Sequence, residues 1–496
     1  MSVDGAVGDA GATVTVAAIA ADVIAGRITA TAAVEECRRR HEKTGASLNA
    51  LVQPRFDEAL DEAAAVDAAA SPTTALPLTG VPVSVKECFA VRGLATTLGI
   101  PARRGAHDTA DAELVGRLRQ AGAIVIGKAN VPQAMYLHET DNPVWGRTLH
   151  PLASDRGPGG SSGGDAALVA AGVVPLAVGN DLAGSLRQPA HACGIVAVMP
   201  RTAMLGEGGA FDTMPHLRGV RPRAGFLGRT VADVTAGLSA VGVPAADRRV
   251  GCVGWWDDAG PVGASPAIRR GVREAVTRLE RAGVRTLRLD GRIATEAAWL
   301  LLAIAAADGG ADVSRLFAGT RPMPGVRRLL AIAGLPRRWR PIVAAVARLT
   351  GHRIESEGIL RTGPRTAADL EGILAEREAV AARFAALAAD CDAIVCPVSA
   401  LPALRHGSAA RLVLAAAPCL LANLLDLPAG AVPVTHVRSG EERSRPWRID
   451  PVLRAAREAD RDSRGLPVGV QVVGGPGRDE ASVLAVMRLI AAADSP

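Results

Sequence analysis

Hydrophobic residues change their spacing along the chain. Over residues 13–70, Ala, Val and Leu recur at helical spacing between Arg and Glu, which predicts three amphipathic helices with a short extended break near residues 48–53. Between residues 76 and 200, short apolar runs alternate with helical segments near residues 112–121 and 164–171. This alternation indicates a sheet covered by helices on both faces. The apolar runs predict buried strands at residues 81–85, 123–126, 174–178 and 194–198.

The second half of the chain continues this alternation. Strands are predicted at residues 249–253 and 284–289 around a helix at residues 266–282, and long Ala-rich helices follow to about residue 389. Residues 438–466 are polar and charged, which indicates an exposed loop with some helix. The late elements are strands at residues 393–396, 430–434 and 468–473 and a final helix at residues 480–492.

Length and N-terminal composition limit the classes of protein. At 496 residues the chain exceeds the roughly 250–300 residues at which one core usually divides, so we expect one large body with a movable or accessory lobe. The first thirty residues contain three aspartates and no basic segment ahead of an apolar run. Neither a secretory signal nor a transmembrane span is predicted, and we expect a cytoplasmic protein.

The cysteines predict neither disulfides nor a metal centre. There are seven, an odd number, and most lie in apolar stretches, which is typical of buried free thiols. Cys391 and Cys396 lack a second Cys or His pair at zinc-finger spacing, so no structural metal is expected.

The basic residues are distributed unevenly. The formal charge is +6, and nine arginines with no acidic residue fall between positions 313 and 353, which leaves about −3 for the rest of the chain. This indicates a local basic face and not a nucleic-acid-binding protein. Within it, residues 336–346 (PRRWRPIVAAV) predict a short basic amphipathic helix, with an apolar helix at residues 326–333 before it. Such a helix suits peripheral contact with an anionic bilayer through residues 326–350, and a solvated face or subunit contact is the alternative.

Lysine is rare in this chain. Only Lys43, Lys86 and Lys128 occur, and the other 53 basic residues are arginine. Nucleotide composition of the genome accounts for much of such a bias. Burial can neutralise a lysine but not an arginine. If the chemistry of this protein needs a neutral amine, we therefore expect one of these three lysines to supply it.

Residues 157–165 (GPGGSSGGD) form a glycine-rich loop that allows three interpretations. A phosphate-binding loop would end in Gly-Lys-Ser/Thr, which is absent. Residues 159–163 fit the pattern Gly-x-Ser-x-Gly of α/β-hydrolases. In those enzymes a strand leads directly into the turn that carries the nucleophile, and no clear strand is predicted just before these residues. The third interpretation adds residues 179–189 (GNDLAGSLRQP), where a strand ends in a small-residue loop and Ser185 precedes a helix. Converging N–H groups there predict a nucleophile with an oxyanion hole, although such loops are also ordinary turns.

Together with Lys86 these two loops resemble the amidase signature family. Ser161 follows Lys86 by 75 residues and Ser185 follows Ser161 by 24, the spacing of that family's Lys, Ser and Ser. The resemblance runs from about residue 15 to the end of the chain and includes residues 127–130 (GKAN), 193–194 (CG) and 465–471 (GLPVGVQ). Within the family the chain is most similar to fatty acid amide hydrolases, without a counterpart of the mammalian N-terminal membrane helix. That similarity is carried by residues 86–89 (KECF), 97–99 (TLG), 130–136 (NVPQAMY) and 426–430 (DLPAG).

The resemblance implies an architecture and an assembly. The fold is expected to be α/β, a large twisted mixed sheet sandwiched by helices in three layers. Residues 1–75 would form an N-terminal helical wrap and residues 76–245 the signature core. Residues 246–496 would complete the same domain and include a helical cap at about residues 313–353. A homodimer that binds a small-molecule amide, without metal, cofactor or nucleic acid, is the expected assembly.

The resemblance also implies roles for individual residues. Ser185 would be the nucleophile, and Ser161, on a cis peptide with Gly160, would relay its proton to Lys86, whose pKa burial lowers. Lys86 could instead pair with a carboxylate such as that of Glu87. The oxyanion would be held by the N–H groups of Leu182, Ala183, Gly184 and Ser185. Substrate would contact Met135, Tyr136 and Gly160, and the loop would be held by Ser162, Asp181 and Arg187.

Two residues depart from the family pattern Gly-Thr-Asp-x-Gly-Gly-Ser. Asn180 stands in place of Thr and Ala183 in place of Gly, and Ala183 would be strained if that position required a positive φ. The leading hypothesis is hydrolysis of a carboxylic amide with a hydrophobic acyl group through an acyl-enzyme. Acyl transfer to another amine or alcohol in a biosynthetic pathway and a non-catalytic amidase fold are the alternatives.

Overall fold

The computed structural model describes residues 15–69 and 75–492. Residues 1–14 and 70–74 of the predicted wrap, which include the first fourteen residues used for the targeting prediction, lie outside the described residues. The three predicted amphipathic helices are present from Val16 onward, and Leu51–Pro54 is a strand where an extended break was predicted. No helix in the described ranges is both long enough and apolar enough to cross a membrane.

Eleven strands of the described chain form one mixed sheet. Its order is β1-β3-β2-β6-β8-β7-β12-β13-β11-β9-β10, and β4 and β5 form a separate ribbon. The pairs β2–β3, β2–β6, β9–β10 and β9–β11 are parallel, and the others are antiparallel. The strands are β1 Leu51–Pro54, β2 Pro82–Lys86, β3 Ile124–Ala129, β4 Asp141–Asn142, β5 Gly146–Arg147, β6 Leu176–Asp181, β7 Val196–Met199, β8 Arg223–Gly228, β9 Cys252–Trp255, β10 Arg285–Arg288, β11 Ala393–Pro397, β12 Ala429–His436 and β13 Pro467–Gly474.

Burial shows that both faces of the sheet are covered. Every residue of β2, β6 and β13 is buried, whereas a strand open to water on one face would alternate between buried and exposed positions. The edge strands β1 and β10 do carry exposed residues. The predicted three-layer α/β/α arrangement is therefore confirmed.

The helices that supply these layers are, within the described residues, α1 Val16–Ile24, α2 Ala30–Arg40, α3 Phe56–Ala69, α4 Glu113–Gln120, α5 Gly163–Ala170, α6 Arg187–Cys193, α7 Thr202–Leu205, α8 Val231–Ala240, α9 Pro266–Arg281, α10 Arg292–Ala305, α11 Ala311–Leu316, α12 Pro324–Ala333, α13 Arg340–Leu349, α14 Arg353–Arg361, α15 Ala367–Leu387, α16 Leu420–Leu424, α17 Pro451–Asp460 and α18 Glu480–Ala492. The predicted polar loop at residues 438–466 thus contains α17. The N-terminal α1 packs on α8.

One central strand escaped sequence prediction. The strand β8 has the sequence Arg-Ala-Gly-Phe-Leu-Gly, in which only two adjacent large apolar residues occur, yet it pairs with both β6 and β7. Gly225 is required there because a Cβ would lie 2.2 Å from the carbonyl oxygen of Val198. Close packing against the neighbouring backbone, and not a strand propensity, selects this residue.

Sheet topology brings the functional loops together. The parallel strands β2 and β6 are neighbours, with Val85 opposite Val178. Their carboxyl ends therefore meet at one edge, where β2 ends at Lys86 and β6 ends at Asp181. Ligand sites of α/β sheets lie at this edge of the strands.

Candidate active site

Lys86 and Ser161 are joined at the end of β2. Lys86 is fully buried and its Nζ lies 2.7 Å from Ser161 Oγ. The Gly160–Ser161 peptide bond is cis, as the resemblance implied. Burial lowers the pKa of Lys86 below its usual range, with nearby Asp165 and Asp181 opposing that shift. The lysine is thus poised to accept a proton.

The two oxygens of Asn180 complete the surroundings of this amine. Lys86 Nζ donates to Asn180 Oδ1 at 2.6 Å and to the Asn180 carbonyl oxygen at 3.3 Å. The carboxylate of Glu87 is used elsewhere, because it accepts hydrogen bonds from Thr97 and from the N–H of Leu98. The alternative of a Lys86–Glu87 ion pair is therefore excluded.

Asp165, in α5, lies beneath the same strand ends. Ser84 Oγ donates to Asp165 Oδ1 at 2.9 Å, and the other carboxyl oxygen has no protein partner among the described residues. Burial raises the pKa of Asp165 to about 7, against the opposing effects of the Ser84 hydrogen bond and of Lys86. A carboxyl that is partly protonated near neutral pH weakens the field that would keep Lys86 charged.

The loop that carries Ser185 is held by a buried ion pair. Asp181 and Arg187 are both fully buried, and Arg187 Nη2 lies 3.0 Å from Asp181 Oδ1. Asp181 Oδ2 also accepts the N–H of Leu186 at 3.0 Å, so the carboxylate links both ends of the turn around Ser185. Arg187 further donates to Gln471 Oε1 and to Asn423 Oδ1. These contacts hold the pKa of Asp181 well below its usual range against the effect of burial. This is the geometry expected of residues that hold the loop.

The N–H groups around Ser185 differ from the prediction at one position. Gly184 N–H donates to Asp181 Oδ1 at 2.7 Å, so it is not free to bind an oxyanion. Between described residues no backbone hydrogen bond engages the N–H of Leu182, Ala183 or Ser185. Of the predicted donors, Leu182, Ala183 and Ser185 therefore keep N–H groups without a backbone partner among the described residues, and the oxyanion hole stays a prediction.

Ala183 is not strained in the way that its departure from the family pattern predicted. It is absent from the non-glycine residues at positive φ in the described chain, whereas the following Gly184 has a φ of +102°. A Cβ on Gly184 would also lie 3.0 Å from Cys419 Cβ. The glycine requirement therefore falls at Gly184, and the expected displacement of the oxyanion hole has no basis in the backbone.

One backbone contact joins Ser185 to Ser162, the residue after Ser161. The N–H of Ser162 donates to the carbonyl oxygen of Ser185 at 3.1 Å. The Ser162 hydroxyl was predicted to hold the loop, but it is buried without a partner in the described structure, so its backbone performs that role. No hydrogen bond joins the hydroxyls of Ser161 and Ser185 among the described residues. Catalytic hydrogen bonds are often loose in free enzymes and tighten when substrate binds.

Ser185 opens into a cavity of about 260 Å³. On the side of Ser185 the wall comprises Met135 and Tyr136, which were predicted to contact substrate, and Leu182 and Ala183, which were predicted to form the oxyanion hole. Gly160, also predicted to contact substrate, is not among the residues that line the cavity. A Cβ there would lie 2.6 Å from the carbonyl oxygen of Leu137, so this glycine allows the two backbones to approach.

His138 is a cavity residue that sequence reasoning did not single out. It lies in the wall with Ser185, and burial lowers its pKa to about 4 despite a hydrogen bond with the backbone of Ala183. The imidazole is therefore neutral at physiological pH. Its only sequence signal is proximity, because it stands two positions after the predicted substrate residue Tyr136 and three after Met135.

One group of side chains in the described chain has the spacing of metal ligands. It comprises His216, Asp308 and Asp312. Asp308 accepts the N–H groups of Gly310 and Asp312, while Asp312 accepts from His216 Nδ1 at 2.7 Å. These carboxylates are already engaged at the start of α11, remote from the relay residues in sequence.

Comparison with known proteins identifies the family. Residues 32–483 match the amidase family. Fatty-acid amide hydrolase 1 of Sus scrofa is 32% identical over 431 residues, which covers 81% of this chain and 74% of that protein. Fatty acid amide hydrolase 1 of Caenorhabditis elegans is 30% identical over 477 residues, or 91% of this chain and 82% of that protein.

Solved structures share the fold. A fatty acid amide hydrolase superposes with a TM-score of 0.82 at 20% identity and covers 97% of this chain and 85% of its own. A bacterial aryl acylamidase of the amidase signature family gives a TM-score of 0.73 at 22% identity, covering 97% and 96% of the two chains. Since the family match spans most of the sequence and the fold agrees, the chain belongs to the amidase signature family of hydrolases.

Proposed function

We propose that this enzyme hydrolyses carboxylic amides with a hydrophobic acyl group through an acyl-enzyme on Ser185. The observation that carries the proposal is the environment of Lys86 Nζ, 2.7 Å from Ser161 Oγ and bound to both oxygens of Asn180. A neutral amine has two N–H groups and one lone pair. Because Asn180 accepts the two N–H groups, the lone pair is left for the proton of Ser161.

The reaction follows from this arrangement. Ser185 Oγ attacks the amide carbonyl while its proton passes to Ser161 and the proton of Ser161 passes to Lys86. The N–H groups of Leu182, Ala183 and Ser185 stabilise the oxyanion. Collapse breaks the C–N bond, and the amine leaves with a proton returned from Lys86 through Ser161. Water then attacks the ester by the same relay and releases the carboxylic acid.

The nature of the acyl group is inferred from the cavity wall. Beyond Ser185 the wall is built largely from apolar side chains, including Trp299, Leu302, Ile332 and Leu414. Apolar surface removed from water contributes roughly 25 cal/mol per Å² to binding. The relatives named fatty acid amide hydrolases support the same substrate class.

The test compares primary amides, N-acyl ethanolamines and aryl amides on the wild type and on Ser185→Ala. We expect turnover that grows with acyl chain length and a loss of roughly 10⁴-fold or more in Ser185→Ala. A fluorophosphonate should label the wild type and not the variant. Equal turnover by both proteins, or no labelling of the wild type, contradicts the proposal. Products formed in the presence of competing amines separate hydrolysis from acyl transfer.

A second proposal concerns α13, the basic amphipathic helix. We propose that it docks reversibly on an anionic bilayer, because Ile342, Val346 and Leu349 are more than half exposed on one helical face. Trp339 is half exposed just before the helix, and the arginine-rich segment supplies complementary charge. The preceding helix α12 contributes Leu329 and Ile332 to the cavity, so substrate could enter from the lipid.

Sedimentation with vesicles tests the membrane proposal. Binding to anionic vesicles should fall as salt rises, since surface charge is screened over about 10 Å at 0.1 M ionic strength. Val346→Ser combined with Leu349→Ser should reduce binding, and neutral vesicles serve as the control. Absence of sedimentation with anionic vesicles at low ionic strength rejects the proposal, and a dimer that buries this face would explain such a result.

A further inference from the structure

The cavity that contains Ser185 also carries a cluster of charged side chains. Arg328 of α12, Glu355 of α14 and Arg411, just before the short helical segment Val413–Cys419, all line it. Arg328 Nη2 lies 2.6 Å from Glu355 Oε1, and Arg411 Nε lies 3.9 Å from the same oxygen. The surrounding wall is apolar and includes Leu329, Ile354 and Ile359.

The charges of this cluster do not balance. Two guanidinium groups share one carboxylate, and neither has a second acidic partner within ion-pair distance among the described residues. Arg328 makes the close contact, whereas Arg411 stands at the limit of an ion pair and is about half exposed. The cluster therefore carries one excess positive charge, and Arg411 has donor groups to spare.

An excess guanidinium group in an apolar wall selects for a ligand of a particular chemistry. Arginine presents a planar set of donors that matches a carboxylate or phosphate in a two-point contact, and charge-assisted hydrogen bonds are about twice as strong as neutral ones. The reacting end of the cavity has no such preference, because His138 is neutral there and Ser185 is uncharged. The selective group must then lie away from the scissile bond.

We propose that the preferred substrates are amides whose far end, beyond an apolar chain, carries a carboxylate or a similar anion that binds Arg411. The proposal rests on the proposed function, since it assigns the substrate class of the same cavity. Glu355 acts against such a ligand by competing for both arginines. Arg411 and Glu355 are specificity residues and take no part in the relay.

Two members of the cluster, Arg411 and Glu355, give opposite predictions. Arg411→Gln removes the spare cation and should raise KM for anionic substrates by about 1.5- to fivefold, the range expected of a half-exposed charge pair. Glu355→Gln frees both arginines and should lower that KM. Because neither side chain has a hydrogen bond or ion pair with the relay residues in the described structure, kcat should change little in either variant. Arg348→Gln, an exposed arginine of α13 that does not line the cavity, is the matched control.

The experiment uses three amides that share one acyl chain and one amine, and that end in a carboxylate, its methyl ester or a trimethylammonium group. Several chain lengths are needed to match the cavity. For the wild type, KM should be lowest for the amide that ends in a carboxylate, and high salt should reduce this difference in KM. Equal KM for the three ends, or the same KM change in Arg348→Gln as in Arg411→Gln, overturns the proposal.

Failure of the proposed function gives a different result. Fluorophosphonates with a neutral alkyl chain and with a carboxylate-ended chain report on the cavity without turnover of an amide. If neither labels Ser185, the catalytic proposal fails. If both label it at equal rates in the wild type and in Arg411→Gln, only the anion preference fails.

Discussion

Two regions of the enzyme meet at the cavity and differ in how their charges are placed. The catalytic floor consists of the relay and loop residues Lys86, Ser161, Asn180 and 181–187, and all of its charged groups are fully buried. The second region consists of α12–α14, which overlaps the cap predicted at about residues 313–353 and is called the cap below, and it exposes both apolar and basic side chains. In the floor each charge has buried protein partners, whereas in the cap most charges face water.

This difference separates chemistry from selectivity. A buried polar network specifies one arrangement, because an unpartnered group would cost several kcal/mol. The floor can therefore keep an amine neutral and a turn rigid. The cap has few such constraints, so its residues are able to vary with substrate and surface. Variants that act on one region and not on the other test this division.

The largest expected effect is in the floor. Lys86→Met should lower kcat/KM by roughly 10⁴-fold, because the apolar side chain cannot accept the proton of Ser161. In the wild type, kcat/KM should rise with pH as Lys86 loses its proton, and burial places that rise below the usual pKa of lysine. The pH profile of residual activity in the variant should lack this rise.

Lys128→Met is the matched control for the prediction on Lys86. Lys128 is equally buried, but it donates to the carbonyl oxygen of Ala95 and to Thr96 and pairs with Asp108. Its loss should lower the thermal midpoint and leave the pH profile of the folded enzyme unchanged. Similar profiles for the two variants would contradict the assignment of Lys86 as the base.

The next largest effect is expected in the cap, at Arg340, an arginine that is buried like the charged groups of the floor. Arg340 is only 3% exposed, and its guanidinium group donates to five carbonyl oxygens at the ends of α12 and α14. A positive charge stabilises helix C-termini. Arg340→Met should destabilise the cap by about 3 kcal/mol, because several carbonyl groups lose charged partners.

Hydrogen exchange of the amides of α12 and α14 measures this loss, and the amides of the central sheet provide the internal reference. Arg348→Gln, in the same helix but exposed, should change protection by less than about 0.5 kcal/mol. If Arg340→Met lowered protection across the whole sheet equally, the cap would not be a separate unit of stability.

A smaller effect is expected at Asn180. Asn180→Leu removes the acceptor 2.6 Å from Lys86 Nζ and should lower kcat/KM by about 10- to 100-fold, the equivalent of one hydrogen bond to a buried amine. Asn180→Thr, the family's residue, should recover most of the activity because its hydroxyl is also an acceptor. If Asn180→Leu kept the kcat/KM of the wild type, Asn180 would not be needed to orient the lone pair of Lys86.

The sequence predicted most of the floor and little of the cap's internal structure. Lys86, Ser161 and Ser185 were identified by fixed spacing between short motifs, and β2 and β6 by continuous apolar runs. The cap's helices were expected from periodicity, but Arg340 looked like any other arginine of a basic segment. Its burial depends on how α12 and α14 end around it, which is a tertiary property.

The same limit explains the errors within the floor. The hydrogen bond of the Gly184 N–H with Asp181 and the close packing of Gly160 on Leu137 depend on backbone positions that residue identities do not encode. His138 and β8 were missed because neither has a periodic or motif signal. Motif spacing predicts which side chains meet, whereas the direction of each N–H group requires the folded chain.

The smallest effect is expected at Ala183, the residue whose departure from the family pattern led us to expect a displaced oxyanion hole. Ala183→Gly should leave kcat/KM within about twofold of the wild type, because Ala183 does not need the left-handed backbone that favours glycine. The added backbone freedom should cost about 0.5–1 kcal/mol of stability at most. Gly184→Ala is the matched control, and it should lose well over tenfold, since φ there is +102° and the new methyl would press on Cys419. Equal tolerance at both positions would mean that the turn around Ser185 is not held rigidly, and the contrast between floor and cap would disappear.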